Sequence, residues 1–181
     1  MLVNPAQSQV LLIDIQQKLA PAISDGKAVE QAAAWVLQVA LQLDIPLWAT
    51  EQYPQGLGHT VPVLAELIPP ERVLQKMHFS ALREPLIVSN LACTERKQVI
   101  VLGTETHVCV LQSVLDLLQL GYQVFVVVEA VGSRTEQNKQ LALSRMQQCG
   151  AYIISKEMLA FEWLERCGTD TFRQISKGWI R

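Results

Sequence analysis

Residues 98–129 read QVIVLGTETHVCVLQSVLDLLQLGYQVFVVVE: an apolar run, a turn, a longer apolar stretch that stops at a glycine, and a second apolar run. Gln98–Gly103 and Gln123–Glu129 are rich in β-branched residues, and their apolar content is continuous rather than alternating, as in strands buried on both faces. From about His107 to Leu120 the chain is long enough for a helix. It ends at Gly121, a residue type suited to the left-handed position just past a helix terminus. Strand, helix, strand in one such unit predicts a right-handed crossover between parallel strands.

The same alternation extends in both directions. Short apolar runs recur at Gln9–Ile15, Pro46–Thr50, Arg72–Lys76 and Ala151–Ser155. Between the first two, Val29, Ala32, Ala33, Val36, Val39, Ala40 and Leu43 recur at the spacing that lines one face of a helix. The pattern predicts a three-layer α/β/α fold, Rossmann-like, around a mostly parallel sheet of about six strands. Residues 1–181 are expected to form one domain, with no repeat, low-complexity segment or linker dividing them. The one long loop is Glu51–Pro62, punctuated by Pro and Gly.

Composition narrows the function classes. Half of the 181 residues are hydrophobic, 18% are charged and the net charge is −2. Such a chain has neither the polarity of a disordered segment nor the basic footprint of a nucleic-acid binder. No apolar run approaches the ~18 residues of a membrane span. The four cysteines, Cys93, Cys109, Cys149 and Cys167, are scattered without zinc spacing, and the N-terminal residues do not read as a secretory leader. The expectation is a cytoplasmic protein with reduced thiols that acts on a small molecule, without nucleic acid or membrane, and assembles as a homo-oligomer. Trp163, Trp179 and Ile180 suit an interface or a cover for the core.

In an open parallel sheet, ligands bind beyond the carboxyl ends of the strands. Asp14, Glu51, Lys76 and the turn GTETHVC end strands here, which brings an acid, a cation and a thiol to one edge. A thiol attacks as thiolate, and a helix N-terminus together with an ammonium lowers its pKa. Lys76 supplies the ammonium, and Asp14 can take the thiol proton and return it to a leaving amine. Cys109 is thus either a nucleophile or a small core residue. The other three cysteines lack comparable neighbours and read as structural.

The ordered set LLIDIQ, TEQYPQGLG, LQKMHFSAL and VLGTETHVCVLQSVLDLLQLGYQVFVVVEAVGSR resembles the isochorismatase-like cysteine hydrolase superfamily, in its metal-independent branch of unassigned substrate. The resemblance runs from about Val10 to the C-terminus. It implies a catalytic triad of Asp14 as general base and acid, Lys76 as charge partner and Cys109 as nucleophile. It also implies an oxyanion hole from the N–H groups of Glu105 and Cys109, a cis peptide between Thr104 and Glu105, and no cofactor. The implied activity is hydrolysis of a small amide at its C–N bond through a thioester. Alternatively, a non-catalytic oligomer keeps the fold and binds a metabolite. Nicotinamidase members carry an Asp-x-His and a further His where this chain has Glu51, Gln52 and Tyr53, with only His59 left as a candidate ligand. No metal is therefore expected, and nicotinamide is disfavoured as substrate. Tyr53, Phe79 and His107 are the candidate pocket lining.

Overall fold

The computed structural model describes the backbone of residues 1–180 and all side chains among them except those of Trp179 and Ile180. Six strands, β1 (Ser8–Ile13), β2 (Leu47–Gln52), β3 (Val73–Lys76), β4 (Gln98–Thr104), β5 (Gln123–Gly132) and β6 (Tyr152–Ile154), form one sheet in the order β3-β2-β1-β4-β5-β6. Every pairing between neighbouring strands is parallel. Among the described residues eight α-helices accompany them: α1 (Gly26–Gln42), α2 (Pro54–Leu57), α3 (Pro62–Ala65), α4 (Pro85–Cys93), α5 (Leu111–Gln119), α6 (Glu136–Gln148), α7 (Lys156–Leu164) and α8 (Asp170–Ile175). The three-layer α/β/α architecture expected from residues 98–129 is the observed one.

Alternate residues of the central strands feed two separate cores, because successive side chains of a strand point to opposite faces. Val10, Leu12, Ile100, Leu102, Phe125 and Val127 pack with Val36, Leu37, Val39 and Ala40 of α1 and with Leu159 and Trp163 of α7. Leu11, Ile13, Val99, Val101, Val124 and Val126 pack against Ile87 and Leu91 of α4, Val114 and Leu117 of α5, and Met146 of α6. Both faces being covered explains why the strands read as continuous apolar runs. Trp163 is buried, and its indole N–H donates to Ser8 Oγ at 3.0 Å, so it covers the core and is unavailable to an interface. The side chains of Trp179 and Ile180 lie outside the described residues.

β1 and β4 are adjacent although two strands, β2 and β3, and the helices around them separate them in sequence. The chain departs in opposite directions from this pair, and the crevice at such a reversal is where doubly wound sheets place their ligands. Gly103 allows the close approach of the two strand ends. It faces Ile13 in the register, its φ is 150°, and a Cβ there would lie 2.4 Å from the Ile13 carbonyl oxygen. The long loop after β2 is partly helical, since α2 and α3 fall within or against it. Gly121 ends the α5 segment at φ 81°, as its position in the sequence predicts.

Candidate active site

Three of the central strands end in non-glycine residues with left-handed backbone: Asp14 after β1 (φ 53°), Tyr53 after β2 (φ 38°) and Glu105 after β4 (φ 55°). Each turns the chain sharply off the sheet edge, at roughly 1–2 kcal/mol per residue. Strain of this kind collects at sites, where the surroundings enforce it.

Asp14 and Lys76 are fully buried and form a salt bridge, Nζ to Oδ2, of 2.7 Å. The register Gln52↔Lys76 sets β3 beside β2, so the lysine reaches across β2 to the end of β1. Its ammonium also donates to Gln52 Oε1 at 2.6 Å and to the carbonyls of His78 (3.2 Å) and Phe79 (3.0 Å). Those carbonyls belong to a loop fixed by Glu84, whose carboxylate accepts the N–H groups of Met77 (2.9 Å) and His78 (3.2 Å) and lies 2.9 Å from His78 Nδ1. The Met77 N–H, with help from His78, holds the Glu84 carboxyl down to about 2. On its other oxygen, Asp14 accepts from Thr50 Oγ1 at 2.7 Å, while its carbonyl accepts from Thr104 Oγ1.

Cys109 completes the group. It lies in a helical turn, Thr106–Val110, that leads into α5, and its buried thiol is near enough to Asp14 and Lys76 to feel both charges. The structure therefore gathers Asp14, Lys76 and Cys109 at the carboxyl edge of the sheet. Their protonation differs from expectation. Burial pushes the Cys109 thiol up to about 12, the Asp14 charge adds to the push, and the Lys76 ammonium opposes it without prevailing. The predicted thiolate-favouring environment is corrected to one that keeps the thiol protonated at rest. Burial likewise raises the Asp14 carboxyl above its ordinary value, against the Lys76 charge and hydrogen bonds from Lys76, Thr50 and Cys109.

Two further expectations are overturned. No peptide bond among the described residues is cis, so Thr104–Glu105 is trans. Glu105 makes the turn by its own left-handed φ and ψ of 55° and 57°, which costs less than a cis bond between non-proline residues. Cys93, Cys149 and Cys167 are exposed rather than packed.

Of the candidate lining residues, Tyr53 and Phe79 present exposed rings at this edge, while the Tyr53 N–H donates to the Lys76 carbonyl at 3.0 Å. His107 is held by its neighbours: Nδ1 lies 3.0 Å from Ser133 Oγ and Nε2 lies 3.6 Å from Glu105 Oε2. The Glu105 carbonyl accepts from the N–H groups of Val108 (2.8 Å) and Val110 (3.4 Å), the two residues that flank Cys109.

Glu51 and His59 do not form a metal site. Glu51 Oε1 accepts from Thr60 N (2.7 Å) and Thr60 Oγ1 (3.0 Å), and Oε2 lies 3.0 Å from His59 Nδ1. No group of three or more His, Cys, Asp or Glu side chains suited to an ion occurs among the described residues. The residues present do not fit the metal of the nicotinamidase branch.

Sequence reasoning missed Thr50, Gln52, Thr104 and Gln16. Gln16 clasps Gln52 through both backbone groups, accepting from its N–H at 2.8 Å and donating to its carbonyl at 3.0 Å, and also donates to the Gly58 carbonyl at 2.6 Å. A usable signal existed, since Thr50, Gln52 and Thr104 are polar residues at strand ends in otherwise apolar runs.

Comparison with known proteins agrees with this fold. The isochorismatase domain model matches residues 8–158. Isochorismatase domain-containing protein 2A of Mus musculus is 38% identical over 175 residues, which span 96% of this chain and 82% of that protein. Among solved structures, the MAR1 ribonuclease of Caenorhabditis elegans has a TM-score of 0.92 at 34% identity, covering 98% of this chain and 91% of that one. The pyrazinamidase/nicotinamidase of Streptococcus mutans has a TM-score of 0.70 at 25% identity, covering 81% and 99% respectively. This chain belongs to the isochorismatase family, whose fold it shares with hydrolases such as that nicotinamidase.

Proposed function

We propose that the chain is a cysteine hydrolase that cleaves the C–N bond of a small amide through a thioester on Cys109. The observation that carries this reading is the buried Asp14–Lys76 ion pair set against the Cys109 thiol. A packing cysteine has no need of two buried charges. With the thiol protonated at rest, attack and deprotonation are coupled: Sγ bonds to the carbonyl carbon as its proton passes to Asp14. Lys76 stabilises the sulfur charge in transit. The N–H groups of Glu105 and Cys109 hold the oxyanion, and collapse expels the amine, which leaves with the proton from Asp14. Water then attacks the thioester and gives its proton to Asp14. That proton returns to sulfur as the carboxylic acid departs.

The substrate is a small molecule admitted past Tyr53, Phe79 and His107, and no cofactor enters the reaction. We place the enzyme in a reducing cytoplasm because its cysteines are free, and residues 1–181 act as one domain in a homo-oligomer. Among the described residues no helix is long and apolar enough to cross a membrane.

A panel of small amides assayed for ammonia or amine release, with intact mass spectrometry of the trapped enzyme, tests the reading. Turnover with an acyl adduct on Cys109, abolished in Cys109→Ala, is expected. No adduct with any amide, together with saturable binding of a metabolite, would favour the non-catalytic oligomer. Because one relative is named a ribonuclease, single-stranded RNA belongs in the panel, and its cleavage by the wild type but not Cys109→Ala would overturn the amide reading. Amide turnover is expected to survive exhaustive dialysis against EDTA, since Glu51 is committed to Thr60 and His59. Loss of rate restored by zinc or iron would contradict that expectation.

A further inference from the structure

We propose that Glu105 is a positioning residue, its carboxylate tied to Arg134 and His107 so that the turn it forms aims the Glu105 N–H at the oxyanion. The inference rests on the hydrolase reading above. β4 ends at Thr104 and β5 at Gly132, and these two residues are register partners. The next residues of each strand therefore emerge side by side. Arg134 Nε donates to Glu105 Oε1 at 2.8 Å, and His107 Nε2 lies 3.6 Å from Oε2. His107 is in turn anchored through Nδ1, 3.0 Å from the hydroxyl of the buried Ser133. Both carboxylate oxygens thus face groups that tie the turn to the end of the neighbouring strand.

The residue type makes the case. A left-handed turn costs least when glycine makes it, whereas position 105 carries a buried, charged side chain, 5% exposed. A carboxylate in that place is favourable only when paired, and the pairing fixes the side chain and with it the backbone from which it springs. The tether joins a buried carboxylate to an Arg134 side chain that reaches solvent, and the carboxylate end stands four residues before the nucleophile, at the peptide whose N–H the mechanism uses. An oxyanion hole is effective when its donors are held before charge develops, so the clamp acts on the transition state rather than on substrate binding.

The experiment uses the full chain and p-nitrophenyl acetate as acyl donor, with Glu105→Gly, Arg134→Ala and Arg134→Lys compared with wild type and Cys109→Ala. Glu105→Gly keeps the backbone free to adopt the turn while removing the clamp. Arg134→Ala alters a side chain that is 64% exposed, so its fold is expected to survive if the glycine variant fails. The expected result is a tenfold or greater fall in acylation rate with KM within twofold of wild type for Glu105→Gly and Arg134→Ala. Arg134→Lys should recover most of that rate, and propionaldehyde, which forms a tetrahedral adduct with the thiol, should bind at least tenfold more weakly to the two unclamped variants. Unchanged acylation and aldehyde affinity with only a lower melting temperature would overturn the proposal and leave a docking contact. If wild type acylates no faster than Cys109→Ala, the hydrolase reading fails and the clamp proposal with it. If wild type acylates and the variants match it, the clamp alone fails.

Discussion

A thiol 4% exposed and held near a pKa of 12 is reached slowly by a soluble alkylating agent. Cys93, Cys149 and Cys167 are exposed. With limiting iodoacetamide at neutral pH and peptide mapping, those three are expected to be labelled before Cys109, the reverse of the order suggested by a lysine and a helix terminus acting alone. Labelling of Cys109 first would show that the charge of Lys76 outweighs burial. Lys76 is also more than a charge partner. Its removal leaves the Asp14 carboxylate buried without a counter-ion, and breaking such a pair costs about 3–5 kcal/mol. Lys76→Ala is therefore expected to lower the melting temperature by roughly 10 °C or more, as calorimetry would read. An unchanged melting temperature would mean that Asp14 is accommodated as the neutral acid. Asp14 and Lys76 were legible in the sequence because each is a charged residue closing an apolar run, and Cys109 because it lies in the turn that follows one. Thr50 and Gln52 close strands too, and their polarity there is a signal, but as neutral residues they do not show that their partner is a buried ion pair.

At the scale of elements, the site depends on β1 and β4 meeting closely at their carboxyl ends. Gly103 is the contact that permits it, through its φ of 150° and the 2.4 Å that would separate a Cβ from the Ile13 carbonyl. Gly103→Ala combines backbone strain with overpacking between two central strands, and is expected to cost at least about 2 kcal/mol. Since Ile13 and Gly103 immediately precede Asp14 and Thr104, the acylation rate should fall as well. A denaturant titration showing no shift in midpoint would contradict this placement. Strand identities were readable because burial on both faces removes the polar alternation that blurs shorter strands. The turn after β4 was less so. The resemblance implies a cis peptide there, whereas the chain reverses through a left-handed Glu105 whose stabilising partners, Arg134 and His107, follow different elements.

For the whole molecule, buried ionisable groups set how stability follows pH. The Cys109 thiol stays protonated in the folded state to about 12, whereas its ordinary value is 9.0, so above pH 9 the unfolded chain binds fewer protons than the folded one. Stability then falls as pH rises, beginning near 9 and continuing towards 12. The urea midpoint of the wild type is expected to decline between pH 8.5 and 10.5 more steeply than that of Cys109→Ala, and parallel declines would remove the thiol as the cause. The sequence by itself determined the layer architecture and the parallel sheet, and it offered Asp14, Lys76 and Cys109 as the candidate acid, cation and thiol. These follow from local apolar periodicity and from residue type at strand ends, which neighbouring residues encode. Tertiary structure alone decided the strand order that joins β1 to β4, the protonation of Cys109, the burial of Trp163 and the clamp on Glu105. Each of these depends on what lies across the sheet rather than along the chain: desolvation and Coulomb energies are set by neighbours tens of residues away, and no local pattern records them.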